Sequence, residues 1–348
     1  MIYVNARFIT KKVTGVERYA VELSRALKKI DQNILFVSPK NKFINSNIKN
    51  LETVEAGYFN NYLWEQIELP LFLYRNKKPL LVNPVNTAPI FYDNQILVVH
   101  DIAFLHNPEW YTKKAAVFFK FIVGKSIKAS KKIITVSNFS KNELIKYLKI
   151  PPEKIEVIHS GIPSSILKYA NYNYPNEFGD YILSVSSLEP RKNIKSLIEA
   201  FIKLNRKDIK LIIVGKKNPL VFNDAKLGIG KHDNIIFLGY VEDEALAKLY
   251  KNARLFAYLS YYEGFGFPPV EAIACGCPTM VSNTSSLPEI CGENAEYCDP
   301  QNINEITGKI ESMLSEYKKP SNERITEFIK KYEWQKTANK MLDIIRQY

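Results

Sequence analysis

The sequence has few cysteines and histidines, and it has no long apolar run. There are four of each among 348 residues, and Cys275, Cys277, Cys291 and Cys298 have no histidine among them. This spacing matches neither a zinc ribbon nor a disulfide framework, so we expect reduced, partly buried thiols and no metal site. No stretch of about 18 apolar residues occurs, and the first residues lack the basic start and apolar core of a signal peptide. These absences predict a cytoplasmic protein.

Acidic residues are scarce in the first half of the chain. The first 170 residues hold 25 Lys and Arg against 13 Asp and Glu, so this half carries the entire formal net charge of +12. Such an asymmetry indicates an anionic partner for that half: nucleic acid, a membrane surface or an anionic substrate. No helix-turn-helix, zinc-finger or RNA-recognition signature accompanies the charge, so we expect no nucleic-acid partner.

One basic segment, residues 110–132, sharpens this prediction. Val117, Phe118, Phe121 and Ile122 fall on one helical stripe, and five lysines surround them. A basic helix with aromatic residues suits an anionic membrane surface. The same pattern also suits an ordinary amphipathic helix that packs on a sheet and exposes its lysines. The sequence alone leaves both interpretations open.

Short apolar runs alternate with helical patterns along the whole chain. The predicted strands cover 34–38, 80–84, 96–101, 132–137, 155–161, 181–187, 210–215, 235–240 and 255–260, and the predicted helices cover 16–29, 137–148, 192–205, 243–253 and 332–348. This alternation predicts the α/β class with parallel, doubly wound sheets, and the length favours two domains. The polar stretch 168–181 is interpreted as their connection, which gives domains 1–170 and 171–331. Ligands of such sheets bind at the carboxyl ends of the strands, so the residues after each strand are the candidates for chemistry.

The stretch EGFGFPPVEAIACGCP, which begins at Glu263, follows the last predicted strand. Its two prolines open a short helix, and Gly276 would end it. Gly264 and Gly266 let a backbone approach a ligand closely, and the helix start offers N–H groups to a phosphate. Glu271 is predicted to lie in the first turn, where the helix dipole favours a carboxylate. A phosphate site beside carboxylates that bind hydroxyls describes a sugar nucleotide.

Three further candidates lie at strand ends or helix starts. Arg191 and Lys192 follow the strand 181–187 and would neutralise a diphosphate as it leaves, although most such pairs are exposed surface cations. His100 and Asp101 end an apolar strand in the first domain, a position that favours a polar contact over a satisfied core histidine. Gly15 precedes the first helix, so its loop could approach phosphates, a weak signal by itself.

Together these motifs resemble the retaining glycosyltransferases of family 4, which have the GT-B fold. The matching elements, in chain order, are TGVERYAVEL, WEQIELP, VVHDIAF, ITVSNFSKNEL, VIHSGI, LEPRKNIKSLIEAF, EGFGFPPVEA and YEWQKTA. The resemblance implies two Rossmann-like doubly wound domains that face a central cleft, with the C-terminal helix 332–348 completing the first domain. It also implies a nucleotide-diphosphate sugar as co-substrate and no metal or other cofactor. The absence of an Asp-x-Asp element agrees with that implication.

The resemblance assigns a role to each residue of the glutamate motif. Glu263 would contact hydroxyls of the donor hexose, and Glu271 would hold the ribose hydroxyls. The backbone N–H groups of Gly266 and Phe267 would bind the outer phosphate.

The remaining roles fall on residues outside that motif. Arg191 and Lys192 would hold the diphosphate, His100 would contact the transferred sugar, and Gly15 would permit close approach of the first domain. Many family members carry a Gly-Arg pair before this lysine, where the present chain has Ser-Ser-Leu. The role of Lys192 is therefore better supported than that of Arg191.

The expected activity is retaining transfer of a hexose from a nucleotide-diphosphate sugar to a lipid-linked oligosaccharide. GDP-mannose is favoured because TGVERYA and VVHD look most like elements of mannosyl- and rhamnosyltransferases. The implied setting is O-antigen or capsule-type polysaccharide assembly, by a peripheral protein on the inner face of the plasma membrane. One alternative is a nucleotide-sugar epimerase of the same fold, which the basic first half disfavours. Another is a catalytically silent partner subunit, which the intact Glu263, Glu271 and Lys192 disfavour.

Overall fold

The chain divides into two structural units. The computed structural model describes residues 2–40, 51, 53–172, 174–215, 232–316 and 318–348. The first unit comprises Met1–Gly161 with Tyr332–Tyr348, and the second comprises Ile162–Lys331. The chain thus leaves the first unit at Gly161, and the boundary predicted after residue 170 falls inside the second unit.

A parallel sheet forms the centre of the first unit. In the described residues its seven strands are β1 (Ile2–Asn5), β2 (Ile34–Ser38), β3 (Thr53–Glu55), β4 (Leu80–Asn83), β5 (Gln95–Val99), β6 (Lys132–Thr135) and β7 (Ile155–Val157). Their order is β3-β2-β1-β4-β5-β6-β7. The strand order reverses between β1 and β4, which is where doubly wound sheets bind ligands. The sequence analysis missed β1 and β3, which are too short to show a clear pattern.

Helices cover this sheet. They are α1 (Gly15–Ile30), α2 (Asn61–Leu63), α3 (Leu69–Arg75), α4 (Ala103–His106), α5 (Lys113–Ala129), α6 (Asn138–Leu148) and the C-terminal helix (Trp334–Ile345). A π-helical turn, Trp64–Glu68, joins α2 to α3 into one helical run. The C-terminal helix packs on α1, where the rings of Tyr19 and Trp334 lie 5.4 Å apart.

A second parallel sheet forms the centre of the second unit. Its described strands are β8 (Tyr181–Val185), β9 (Lys210–Val214), β10 (Ile235–Gly239), β11 (Leu255–Tyr258), β12 (Thr279–Ser282) and β13 (Glu296–Cys298). Their order is β10-β9-β8-β11-β12-β13, so the reversal falls between β8 and β11. Both sheets are therefore of the Rossmann type. The sequence analysis missed β12 and β13, each only three or four residues long.

The described helices of the second unit include one that corrects the predicted boundary. They are α7 (Ser164–Ala170), α8 (Ile194–Leu204), α9 (Asp243–Asn252), α10 (Phe267–Ala274), α11 (Leu287–Cys291), α12 (Ile303–Ser315) and α13 (Asn322–Lys331). Helix α7 packs on α9, and it covers the start of the segment 168–181 that was interpreted as a connection. Residue 173 of that segment lies outside the described residues.

The four cysteines lie in the second unit and are all buried and free. Burial raises the pKa of Cys275, Cys291 and Cys298 to about 12, so these thiols stay protonated and unreactive near neutral pH. Among the helices that the structure describes, none is both long enough and apolar enough to cross a bilayer.

Candidate active site

The reversal of strand order between β8 and β11 brings two loops together in the second unit. After β8 the chain makes a 3-10 turn, Pro190–Lys192, with proline at its first position. Asn193 ends this turn in the left-handed conformation, at φ 53°, and α8 begins at the next residue. The loop after β11 binds this turn through the Arg191 carbonyl, which accepts a hydrogen bond from the Tyr261 N–H at 2.8 Å.

Lys192 and Glu263 meet at this junction as a buried ion pair. The Lys192 Nζ lies 2.5 Å from Glu263 Oε1, and both residues are less than a tenth exposed. The hydroxyls of Tyr258 and Ser260 also donate to Glu263 Oε1, at 2.8 and 2.6 Å. On the other side of the carboxylate, Oε2 lies 3.7 Å from Arg191 Nη1. The structure thus brings Arg191, Lys192 and Glu263 into one cluster.

The charges of this cluster shift the pKa values of Glu263, Lys192 and Tyr258. Burial alone would raise the pKa of Glu263, but the Lys192 and Arg191 cations outweigh it and hold the pKa below its ordinary value. Burial, and secondarily the nearby Arg191 charge, lowers the pKa of Lys192. Burial and the Glu263 charge raise the pKa of Tyr258 well above 10, so its hydroxyl stays protonated and remains a donor.

The Tyr258 hydroxyl links the two partners of the ion pair. It accepts a hydrogen bond from Lys192 Nζ at 2.8 Å while it donates to Glu263. Two of the three N–H bonds of the Lys192 ammonium are then engaged. The sequence analysis missed Tyr258 and Ser260. Their signal was available, because both stand at the end of the strand LFAYLS that points to the site.

Helix α10 carries the second glutamate of the motif. Gly266 starts the helix in the left-handed region at φ 93°, where a Cβ would lie 2.8 Å from Leu287 Cδ2. Gly276 at φ 73° closes it, with its N–H bonded to the Ile273 carbonyl at 2.9 Å. The predicted glycine at the helix end is therefore confirmed.

The predicted position of Glu271 in the first turn is wrong. The helix begins at Phe267, so Glu271 is its fifth residue and lies beyond the reach of the helix-end charge. The carboxylate is buried instead and accepts a hydrogen bond from the Tyr250 hydroxyl at 3.0 Å. Burial and the Glu271 charge raise the pKa of Tyr250 well above 10, so this hydroxyl also remains a donor. Sequence reasoning missed Tyr250, which stands in the middle of a helical pattern.

The start of α10 offers only two of the usual backbone donors. Pro268 and Pro269 occupy the second and third helical positions and have no N–H group. The N–H groups of Gly266 and Phe267 are therefore the donors of this helix start. Gly264 precedes them in the same buried loop.

His100 is buried in the first unit, after β5. Its Nε2 lies 2.9 Å from the Pro84 carbonyl, so Nε2 carries the proton and donates, which leaves Nδ1 as an acceptor. The Tyr19 ring packs edge-on against the imidazole, 4.6 Å away. Burial lowers the pKa of His100, so the ring is neutral at pH 7.

Asp101 and Gly15, the two other candidates of the first unit, are more exposed than His100. Asp101 is partly buried, and its Oδ1 accepts a hydrogen bond from the Ala103 N–H at 3.1 Å. Gly15 is exposed and is the first residue of α1.

A buried polar cluster that the sequence did not reveal lies at the strand-order reversal of the first sheet. Arg7 Nε lies 3.0 Å from Glu65 Oε2, and both side chains are almost fully buried. Asn5 at the end of β1 donates to Glu65 at 3.1 Å and to Asn83, at the end of β4, at 3.0 Å. Glu65 belongs to the WEQIELP element and lies in the π-helical turn. Among the described residues, no group of three or more His, Cys, Asp or Glu side chains could hold a metal ion.

Two family models match consecutive parts of the chain. Residues 13–165 match Glycosyltransferase Family 4, and residues 173–332 match Glycosyl transferases group 1. Together the matches cover nearly the whole sequence.

Individual relatives extend this result. The O-antigen chain mannosyltransferase B of Escherichia coli is 29% identical over 87% of this chain and 88% of its own. The O-antigen chain mannosyltransferase RfbU of Salmonella typhimurium is 27% identical over 85% and 86%. The structure of the sucrose-phosphate synthase from Thermosynechococcus elongatus superimposes with a TM-score of 0.74, at 17% identity over 99% of this chain and 98% of its own.

The structural similarity confirms the predicted GT-B fold with its two Rossmann-like domains, and the family matches confirm the resemblance noted in the motifs. The chain is therefore a glycosyltransferase and belongs to family 4.

Proposed function

We propose that the protein transfers mannose from GDP-mannose, with retention of anomeric configuration, to a membrane-linked glycan during O-antigen or capsule-type polysaccharide assembly. The observation that carries the proposal is the buried Lys192–Glu263 pair beside Arg191, at the strand ends of the second sheet. The names of the two O-antigen relatives support the choice of mannose and the O-antigen setting. The lipid-linked acceptor, the inner face of the plasma membrane and the peripheral association belong to the same proposal.

The cations of this cluster would stabilise the departing nucleotide. Cleavage of the bond between sugar and phosphate leaves negative charge on the diphosphate. The remaining N–H of Lys192, the Arg191 guanidinium and the N–H groups of Gly266 and Phe267 are donors suited to its oxygens. We propose that these groups neutralise the diphosphate without a divalent metal.

The carboxylates would bind the polyol parts of the donor. Glu263 Oε1 already accepts hydrogen bonds from protein groups, so Oε2 is the atom that would accept from a hydroxyl of the hexose. Glu271, held by Tyr250, would accept from the ribose hydroxyls. His100 Nδ1 would accept from a hydroxyl of the transferred sugar, because its Nε2–H is engaged by Pro84.

Retention follows if the leaving phosphate acts as the base. A phosphate oxygen of the departing nucleotide would take the proton of the acceptor hydroxyl. At the same time the acceptor oxygen would bond to C1 on the same face of the sugar. The C1–O bond to phosphate breaks in the same event, and the nucleotide leaves with the proton. This step needs no further nucleophile from the protein.

The test has a binding step and a transfer step. A thermal-shift screen against GDP-, UDP-, dTDP- and ADP-sugars should give a rise in Tm with GDP-mannose, because a ligand that binds only the folded state stabilises it. The rise should be lost in Glu271→Ala. With a lipid-linked acceptor, the product should keep the donor's anomeric configuration by NMR, and chelation of divalent metals should leave the rate unchanged. A rise in Tm with another nucleotide sugar would contradict GDP-mannose as the donor, and an inverted product would contradict retention. A rate that falls on chelation would contradict transfer without a divalent metal. Conversion of the sugar without acceptor would indicate an epimerase.

A further inference from the structure

The helical run 61–75 exposes a row of large apolar side chains. Leu63, Ile67, Leu71 and Tyr74 follow a spacing of four, four and three residues, which places them on one helical face. Their exposed fractions are 52%, 42%, 51% and 50%. The opposite face is also apolar, because Trp64, Leu69 and Leu73 are fully buried in the core of the first unit. A helix that is apolar on both faces is normally buried on both, so the exposed face indicates a partner.

Helix α5 extends this surface. Val117, Phe118 and Phe121 are 69%, 39% and 55% exposed. The Phe118 ring lies 4.9 Å from the ring of Tyr62, at the start of the helical run 61–75, so the two helices adjoin. We refer to the exposed faces of the run 61–75 and of α5 together as the apolar surface.

Most of the charges around the apolar surface are positive. Helix α5 carries five lysines and no acidic residue, and Arg75 ends the other helical run, with Lys77 just beyond it. The two acidic residues of that run point elsewhere. Glu65 is fully buried against Arg7, and Glu68 accepts hydrogen bonds from the backbone N–H groups of Tyr58 and Phe59 at 3.0 and 2.7 Å. The exposed Asp93, near the end of the run, forms an ion pair with Lys78 at 2.6 Å. Exposed aliphatic and aromatic side chains with mostly cationic neighbours fit an anionic lipid surface.

We propose that the apolar surface inserts into the interface of a bilayer that contains anionic lipids, with both helices in contact at once. The sequence indicated α5 alone and left its role open; the helical run 61–75 is the new element. The inference rests on the proposed membrane-linked acceptor for its purpose. The surface itself lies entirely within the first unit, so its binding can be measured without donor or acceptor.

The experiment is co-sedimentation with vesicles of phosphatidylethanolamine and phosphatidylglycerol, compared with vesicles of phosphatidylcholine alone. The wild-type protein should bind the anionic vesicles and lose most of that binding at high salt. Ile67→Ser and Phe121→Ser should each weaken the partition constant by roughly tenfold, because each removes a large apolar group from the interface. Lys114→Glu and Lys125→Glu should each weaken it by at least about fivefold.

Matched controls come from exposed residues of the second unit. Tyr240→Ser removes a side chain that is 70% exposed, and Lys207→Glu makes the same charge change at an exposed lysine. Both should bind vesicles like the wild type. Unchanged Tm values for all these variants would show that the fold is kept.

Three results would overturn the inference. The first is equal vesicle binding by wild type, Ile67→Ser and Lys125→Glu. The second is a wild-type dimer, seen by light scattering, that Ile67→Ser dissociates while no form binds vesicles, which would show that the surface joins two copies. The third is transfer to a detergent-solubilised acceptor without vesicle binding, which would refute the surface and keep the proposed function. Vesicle binding without any transfer would support the apolar surface and refute the proposed function.

Discussion

Lys192 and Glu263 form a buried ion pair, so replacing one of them alone leaves the other charge without its partner. The informative perturbations are Lys192→Met, Glu263→Gln and the two together, because these side chains resemble the originals in volume but carry no charge. Breaking a buried pair on one side costs about 3–5 kcal/mol of unfolding free energy. Loss of activity in a single variant therefore has to be separated from loss of fold.

The surroundings of the pair decide where each variant falls in that range. For Lys192→Met we expect about 3 kcal/mol, because Glu263 keeps the hydroxyls of Tyr258 and Ser260 and the Arg191 guanidinium 3.7 Å away. Glu263→Gln should lie nearer the upper end, since Lys192 and Arg191 lose a carboxylate that they share. In the double variant no charge of the pair remains, so its cost should be smaller than the sum by at least about 2 kcal/mol.

The assay combines denaturant unfolding with steady-state kinetics. We expect kcat to fall by about 10²–10³ in all three variants, because Lys192→Met removes a cation that would act on the leaving diphosphate and Glu263→Gln removes the carboxylate that would hold the donor hexose. The double variant should lose less unfolding free energy than the two single variants lose together. Its kcat should be as low as that of the single variants. Additive unfolding free energies would refute the buried pair. A near-normal kcat in Lys192→Met at full folding would refute its role in catalysis.

Three smaller changes test other parts of the structure. Tyr250→Phe removes the donor to Glu271 and should raise KM for the nucleotide sugar roughly tenfold with little change in kcat, by steady-state kinetics. Gly266→Ala forces a side chain into a left-handed conformation against Leu287, so the unfolding free energy in a denaturant titration should fall by about 1–2 kcal/mol. The buried, neutral His100 has a lowered pKa, so the unfolded chain takes up its proton first as pH falls below about 6.5. Unfolding free energy should then decline by up to about 1.4 kcal/mol per pH unit, and His100→Gln should remove that part of the slope in titrations at several pH values.

Each of these changes has a matched control or a contrary result. Tyr181→Phe removes a buried hydroxyl that donates to the Leu249 carbonyl outside the site, and it should leave KM unchanged. Gly239→Ala places a side chain at φ 69° with no atom within 4 Å, and it isolates the conformational part of the cost at Gly266. An unchanged pH slope in the His100 variant would contradict the buried neutral ring.

The sequence was sufficient to predict the class of fold and the residue types of the site. A short apolar run with polar residues after it indicates a parallel strand whose carboxyl end lies near a ligand site. The run LFAYLS, with Glu263 shortly after it, is an example. Gly276 at the end of α10 was predictable because a helix end in the left-handed conformation favours glycine. The short strands β1, β3, β12 and β13 were missed because three or four residues carry too little pattern for a periodicity argument.

Contacts between residues far apart in the chain could not be predicted from local sequence patterns. The sequence separates Lys192 from Glu263 by 71 positions, and only the pairing of β8 with β11 brings them to 2.5 Å. The same holds for Tyr250 with Glu271 and for Arg7 with Glu65, where burial turns ordinary polar residues into fixed donors and acceptors. The placement of Glu271 depended on where α10 begins, and the left-handed Gly266 set that start at Phe267 rather than at the prolines.

The sequence by itself determined the alternation of strands and helices, the basic excess of the first half and the glutamates, glycines and cations that mark the family. These properties are local or additive, so they can be read along the chain. The tertiary structure decided which of those groups meet, which are buried and which apolar faces stay exposed. Such properties depend on the strand order of each sheet and on water being excluded from its core, and no local pattern contains them.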